Sequence, residues 1–231
     1  MKSSEKVFLA VGLTCWLGAL AAAEPGPQAS AAAVELPDEI VPADFQPAPA
    51  DYAAWRAAFP VVWLGDVAAA PAQDQALARG ALKVTDKLMQ TEKDPVSWFA
   101  IGRADFNGAH EAFFVEVHGP DNAVSRKMAV FSKENHWLEA VERLSDSRKM
   151  GKETWRRWAW LIDINQDKQH DLLVKERISD AEGRLLGTRY FAKTWKLDHF
   201  ERYIPSEPGE FWPIANRMTA HKTFSPDQAG Y

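Results

Sequence analysis

The chain has 231 residues, a formal net charge of −5 and one cysteine. Hydrophobic residues make up 46% and charged residues 26%, an ordinary globular balance that can bury a core without disulfides or metals. The acidic balance excludes a strongly basic nucleic-acid binder, and the single cysteine excludes a disulfide framework or a cysteine-rich zinc site.

Residues 1–23 read as a signal peptide. Lys2 and Lys6 precede an apolar run from Val7 to Ala23, which ends in Ala21-Ala22-Ala23 before Glu24-Pro25. A polar basic start, an apolar segment and small residues at the cleavage point are the three parts such a leader needs. The run is at the lower limit for spanning a bilayer, so no stable membrane span is expected after cleavage. Loss of Lys2, Glu5 and Lys6 takes the charge from −5 to −6, and loss of Cys15 leaves no cysteine. No Asn is followed two residues on by Ser or Thr. Export without disulfides or glycosylation acceptors points to a bacterial periplasm or exterior.

Residues 24–50 form a linker rich in Ala and Pro, with six prolines that remove backbone donors and favour extended geometry. A single domain is expected over 51–231, opening with a helical part over 51–96. Asp51 is placed to cap a short helix from Tyr52 to Phe59, stopped by Pro60. Val61-Val62-Trp63-Leu64 reads as a short buried strand. Leu77, Ala81, Val84 and Leu88 stand at helical spacing and predict a helix over 73–89.

From residue 97 the pattern becomes one of short apolar runs, rich in β-branched and aromatic residues, between turn residues. Strands are expected at 97–104, 112–118, 126–132, 137–144, 157–163, 171–178, 187–194 and 197–203, with 137–144 also fitting a helical period. A tail follows over 204–231. The strands fall into two copies, 97–144 and 157–203. Asp105-Phe106-Asn107 matches Asp163-Ile164-Asn165, His110-Glu111 matches His170-Asp171, Glu116 matches Glu176, and Trp137 matches Trp195. These offsets lie within about two residues of one another, as tandem copies of one supersecondary unit require. The expected fold is mainly β with a small N-terminal α part: two tandem four-stranded units packed as a compact β domain. Two units are too few to close a propeller.

Between two strands of the second copy stands Asp163-Ile-Asn165-Gln-Asp167-Lys-Gln169-His-Asp171, followed by apolar Leu172-Leu173-Val174. Calcium takes six to eight oxygen ligands. Asp163, Asn165, Asp167 and Asp171, with the Gln169 backbone carbonyl, offer such a set on one tight loop. Three carboxylates within nine residues repel one another unless a cation neutralises them. The competing account is an Asx turn, in which the same oxygens accept backbone N–H groups. The loop is not an EF-hand, because Val174 stands where the bidentate Glu belongs.

The loop resembles the D-x-[DN]-x-D-G-x-x-D calcium loop of FG-GAP/VCBS-type repeats, over about residues 95–205. The resemblance implies propeller-blade-like units, a structural calcium ion and an extracellular or periplasmic binding or adhesion role. Family loops carry Gly where this chain has Gln166 and Lys168, and position 6 makes a sharp turn. The first copy's loop, Asp105 to Glu111, lacks the middle carboxylate and reads as a plain turn held by Asp105 and Asn107.

Ten tryptophans stand out. Most suit the core; Trp212, in a segment rich in Pro and Gly, is the expected platform for a flat ligand such as a sugar ring. The six histidines form no zincin motif, and no nucleophile-elbow, phosphate-loop or dinucleotide motif occurs. His110 and His170, matched in the repeat beside carboxylates, fit structural strand starts better than catalytic bases. The sequence therefore favours an exported, non-enzymatic binding or adhesion module with an unidentified protein or glycan partner and no nucleic-acid role. The alternative is a hydrolase acting on carbohydrate or cell-envelope material through a carboxylate pair.

Overall fold

The computed structural model describes residues 45–78, Val84, Leu88, 96–119, 123–165, 167–203 and 223–226. The leader expected over 1–23, most of the 24–50 linker, most of the 73–89 helix and of the 204–231 tail, and Trp212 lie outside these residues.

Eight strands follow one another as neighbours in a single antiparallel sheet. They are β1 (Ser97–Asp105), β2 (His110–His118), β3 (Val124–Ser132), β4 (Leu138–Met150), β5 (Glu153–Ile162), β6 (Asp171–Ser179), β7 (Leu185–Lys196) and β8 (His199–Tyr203). All eight expected strands are present, and 137–144 is strand rather than helix. The mainly β class and the N-terminal helix stand. The two units are not separate blades, however, and no propeller forms. The reason is β4, thirteen residues long. Its first half pairs with β3 up to Ser145, and its second half, from Asp146, pairs with β5. One strand thus carries the ladder from the first four strands into the last four.

The repeat is visible in the cross-strand pairs. Matched Glu116 and Glu176 are both buried. Each stands opposite an arginine on the following strand, Arg126 for Glu116 and Arg189 for Glu176, and each carboxylate bonds that arginine.

The first half of the sheet is covered on both faces, so β2 is buried along eight of its nine residues. On one face Trp98, Phe113, Val115, Phe131 and Val141 pack with Tyr52, Trp55 and Phe59 and with helical Val84 and Leu88. On the other, Phe106, Phe114, Met128 and Leu144 pack with Ala159, Leu172, Val174 and Trp195 of the second half. Where β4 and β5 diverge, a C-terminal residue fills the gap. Phe224 exchanges two backbone hydrogen bonds with Ala159, at 2.9 and 3.2 Å, and lies flat over Phe114 with centroids 5.9 Å apart.

The helix, α1, spans Pro49–Ala57. It begins three residues before its expected start because Pro49 takes the first helical position, where its missing N–H costs nothing. Ala48 is the N-cap and makes no side-chain cap, so Asp51 sits in the first turn instead of capping. There it still suits the positive end of the helix dipole.

The strand expected at 61–64 is not a buried strand. Val61 makes one bridge to Arg103, while the residue is 71% exposed and Trp63 78%. The segment is a strap along the edge of β1, tied by Val62 N to Arg103 O at 2.9 Å and Arg103 N to Pro60 O at 2.8 Å. A bulge in β1 lies between Ala100 and Gly102. A Cβ on Gly102 would come within 2.5 Å of Val62, so glycine is what lets the strap lie this close. Ala76 bridges to Phe99 further along the same edge. Residues 73–78 therefore extend the strap instead of opening the expected helix. Covering β1 in this way satisfies its free edge.

Candidate functional site

The loop before β6 brings together three of the sequence-selected residues. Asp163 accepts Asp167 N and Lys168 N at 3.1 and 3.0 Å. Asn165 accepts Asp167 N at 3.1 Å and donates its amide to Asp167 at 2.9 Å. Asp167 in turn accepts Gln169 N at 2.8 Å. Lys168 takes the sharp-turn position with φ of 68°, the left-handed region that costs a non-glycine residue roughly 1–2 kcal/mol.

Asp171 joins the loop to the sheet. It is fully buried and accepts Ile164 N at 2.9 Å and Trp195 N at 3.0 Å, latching the loop to β7. Burial raises its pKa and the backbone donors only partly offset this. Gln169 points to the matching loop of the first copy, accepting the Asn107 amide at 3.0 Å. That first loop is the plain turn expected, with Gly108 N on Asp105 at 2.7 Å and His110 N on Asn107 at 3.1 Å. Among the described residues no three His, Cys, Asp or Glu side chains are grouped to hold a metal.

Next to these loops His110 Nε2 lies 2.6 Å from Glu139 Oε2, and His110 Nδ1 lies 2.7 Å from Asn107 Oδ1. Burial, with the Asp198 charge, pushes the Glu139 carboxyl up to about 7. Burial pulls the His110 imidazolium down. Both shifts favour neutral groups, so one proton between Nε2 and Oε2 satisfies the pair. The imidazole packs edge-on to Trp195 at 5.1 Å. This enclosed arrangement fits the structural role expected of His110. His170 sits against Phe106 at 5.9 Å.

A cleft of about 500 Å3 opens between α1 and the first half of the sheet, lined by Tyr52, Ala53, Arg56, Arg103, Glu111, Lys133 and His136 among others. Helix periodicity places Tyr52 and Arg56 one turn apart on the same face. Among the described residues Glu111 is the only carboxylate of the lining. Its Oε2 accepts Arg56 Nε at 2.7 Å and the Tyr52 hydroxyl at 3.2 Å; its Oε1 accepts Arg103 Nη1 at 2.6 Å and Arg56 Nη2 at 3.2 Å. Burial pushes the Glu111 pKa up, but the two guanidinium groups outweigh it and the carboxylate stays below its ordinary value. Burial and the Glu111 charge push the Tyr52 phenol well above its ordinary value. His136 stacks on Tyr52 with centroids 4.0 Å apart.

In the sequence Glu111 stands out only in the repeat match beside His110, and nothing there marks Arg56, Arg103, Lys133 or His136 as a site. One signal was present: two glutamates, Glu111 and Glu116, in a strand otherwise apolar between His110 and His118. Trp63 was also missed. It was assigned to a buried strand, yet it is an exposed indole resting over Gly65. Trp155 and Trp160 are buried, while Trp158 is half-buried and donates to Ser225 at 3.1 Å.

Among the described residues no helix is long and apolar enough to cross a membrane. Comparison of the chain with protein-family models, curated proteins and solved structures finds no match.

Proposed function

We propose that this chain is an exported bacterial binding module without catalytic activity, whose ligand enters the cleft under α1. The observation that carries the reading is the chemistry of that lining. A cavity of about 500 Å3 falls within the range typical of small-molecule sites, about 300–1,000 Å3. Glu111, the one carboxylate among the described lining residues, is held ionised by two arginines. It is thus a poor proton donor, and among the described residues no second carboxylate lines the cleft to act with it.

Isothermal titration with citrate and with cellobiose tests the reading, beside an Ala53→Trp variant that fills the cleft from the exposed face of α1. One probe binds the wild-type protein, fails to bind the variant and is recovered intact. Recovery of cleaved cellobiose refutes the reading in favour of a hydrolase. Equal binding to the variant, or none to the wild type, removes the cleft from the function.

The same proposal assigns structural calcium to Asp163, Asn165 and Asp167, with the Gln169 carbonyl, in two duplicated FG-GAP/VCBS-like units. Three side chains converging on one loop support it, as does the left-handed turn of Lys168 where those families carry Gly. Asp171, which accepts Ile164 N and Trp195 N, ties the loop to β7. Thermal unfolding in EDTA and in millimolar calcium decides this. A rise in midpoint that Asp163→Ala/Asp167→Ala abolishes supports the ion, because a ligand stabilises the state it binds; an unchanged wild-type midpoint leaves an Asx turn.

A further inference from the structure

We infer that the cleft under α1 selects an anionic ligand, a small soluble molecule carrying a carboxylate or phosphate group. The inference rests on the reading of the cleft as the ligand site and adds the class of molecule it takes.

The charges of the lining are unequal. Among the described residues of the lining Arg56, Arg103 and Lys133 face one carboxylate, Glu111, and both Glu111 oxygens already accept from Arg56 and Arg103. Lys133 pairs with Asp105 at 3.0 Å. Asp105 stands outside the lining and its side chain is 67% exposed, so this pair is screened and weak. The cavity therefore presents excess positive charge.

The donors are also in surplus. A guanidinium carries five N–H groups. Arg103 uses Nη1 on Glu111, while its Nε is buried with no hydrogen-bond partner among the described residues. A buried donor left without an acceptor costs roughly 1–3 kcal/mol. Arg56 commits Nε and one terminal nitrogen to Glu111 and keeps its side chain 48% exposed. Two guanidinium groups whose orientation is fixed by a shared carboxylate are pre-organised for the paired oxygens of a second carboxylate or a phosphate.

Beside the arginines stand two stacked rings. His136 stacks on Tyr52 and holds φ at 61°, a region that a non-glycine residue occupies at a cost and that recurs at ligand clamps. An anion bound to the arginines leaves room beside this stack for the rest of the molecule.

The test is titration of the purified protein with citrate, with inorganic phosphate and with cellobiose as the neutral probe, at low and high salt. The variants are Arg56→Gln/Lys133→Gln, both on exposed side chains, and Ala53→Trp. Citrate or phosphate binds the wild type, weakens at least tenfold in the double variant, is lost in Ala53→Trp and weakens with salt. Tighter citrate than phosphate assigns a carboxylate ligand, and the reverse a phosphate. Cellobiose binding that Ala53→Trp abolishes, with no anion binding, overturns the anionic class while keeping the cleft as the site. Binding of none of the three overturns both. Circular dichroism of each variant shows whether it is folded. If the double variant is not, Lys133→Gln alone carries the comparison, and an unchanged affinity there overturns the inference.

Discussion

Replacing Glu111 with Gln tests the central ion cluster directly. Glu111 is buried and joins α1 to β1 through Arg56 and Arg103. Charge-assisted hydrogen bonds contribute roughly 1.5–3 kcal/mol. The Arg103 side chain is 18% exposed, so its share stands near that range. The Arg56 share is at most about 1 kcal/mol, because half its side chain is in solvent. The expected loss at pH 7 is about 2–3 kcal/mol, read by urea unfolding with unchanged m. The pH dependence follows from the depressed carboxyl pKa. A group ionised more easily in the folded state stabilises the fold above its unfolded value, near 4.5, and that stability is lost as pH falls through the folded value. The gap between wild type and Glu111→Gln should therefore be full at pH 7 and shrink toward pH 3. A gap below about 0.5 kcal/mol at pH 7, or one that stays constant to pH 3, would refute the account of this cluster.

Three further outcomes follow from the same structure. Phe224→Ala should cost about 3–5 kcal/mol in denaturant unfolding, since the ring is buried over Phe114 in the gap between β4 and β5; a loss under about 1 kcal/mol means the C-terminal segment is not part of the core. Lys168→Gly should stabilise by up to about 1 kcal/mol, because relief of the left-handed φ exceeds the added unfolded-state entropy; a destabilised variant argues against that turn. Glu139→Gln tests the raised carboxyl at about 7. A proton held more tightly in the folded state stabilises below the unfolded pKa and is lost as pH rises through 7. The stability of the variant relative to wild type should then grow between pH 5 and 8, by up to about 3 kcal/mol; a flat difference sinks the assignment.

The strands were legible in the sequence because side-chain alternation and turn chemistry are local. Gly183, with φ of 81°, closes the β6–β7 turn within Asp180-Ala181-Glu182-Gly183, residue types that suit a turn. Duplication was legible too, since matched Glu116 and Glu176 must recur wherever one unit is copied; their arginine partners sit at different offsets and appear only in the strand register. What local pattern could not carry was the division of β4, whose first half pairs with β3 and whose second half pairs with β5. The edge of β1 was equally hidden. Val61 and Trp63 have strand-like residue types, but the strap they form answers an open row of backbone groups belonging to residues some forty positions away.

The candidate site divides in the same way. The sequence by itself determined the Asp163–Asp171 loop, whose groups are within nine residues and meet through turns shorter than any tertiary contact. It could not determine that Asp171 faces β7, because the Trp195 N–H it receives comes from a strand 24 residues on. Only the tertiary structure decided the cleft. Its arginines, its carboxylate and its stacked rings come from α1, β1, β2 and the β3–β4 turn, segments separated by up to 84 positions. They converge because the apolar faces of α1 and the sheet bury together. That burial is non-directional, so the sequence marks which residues seek it without marking which polar neighbours it will bring face to face.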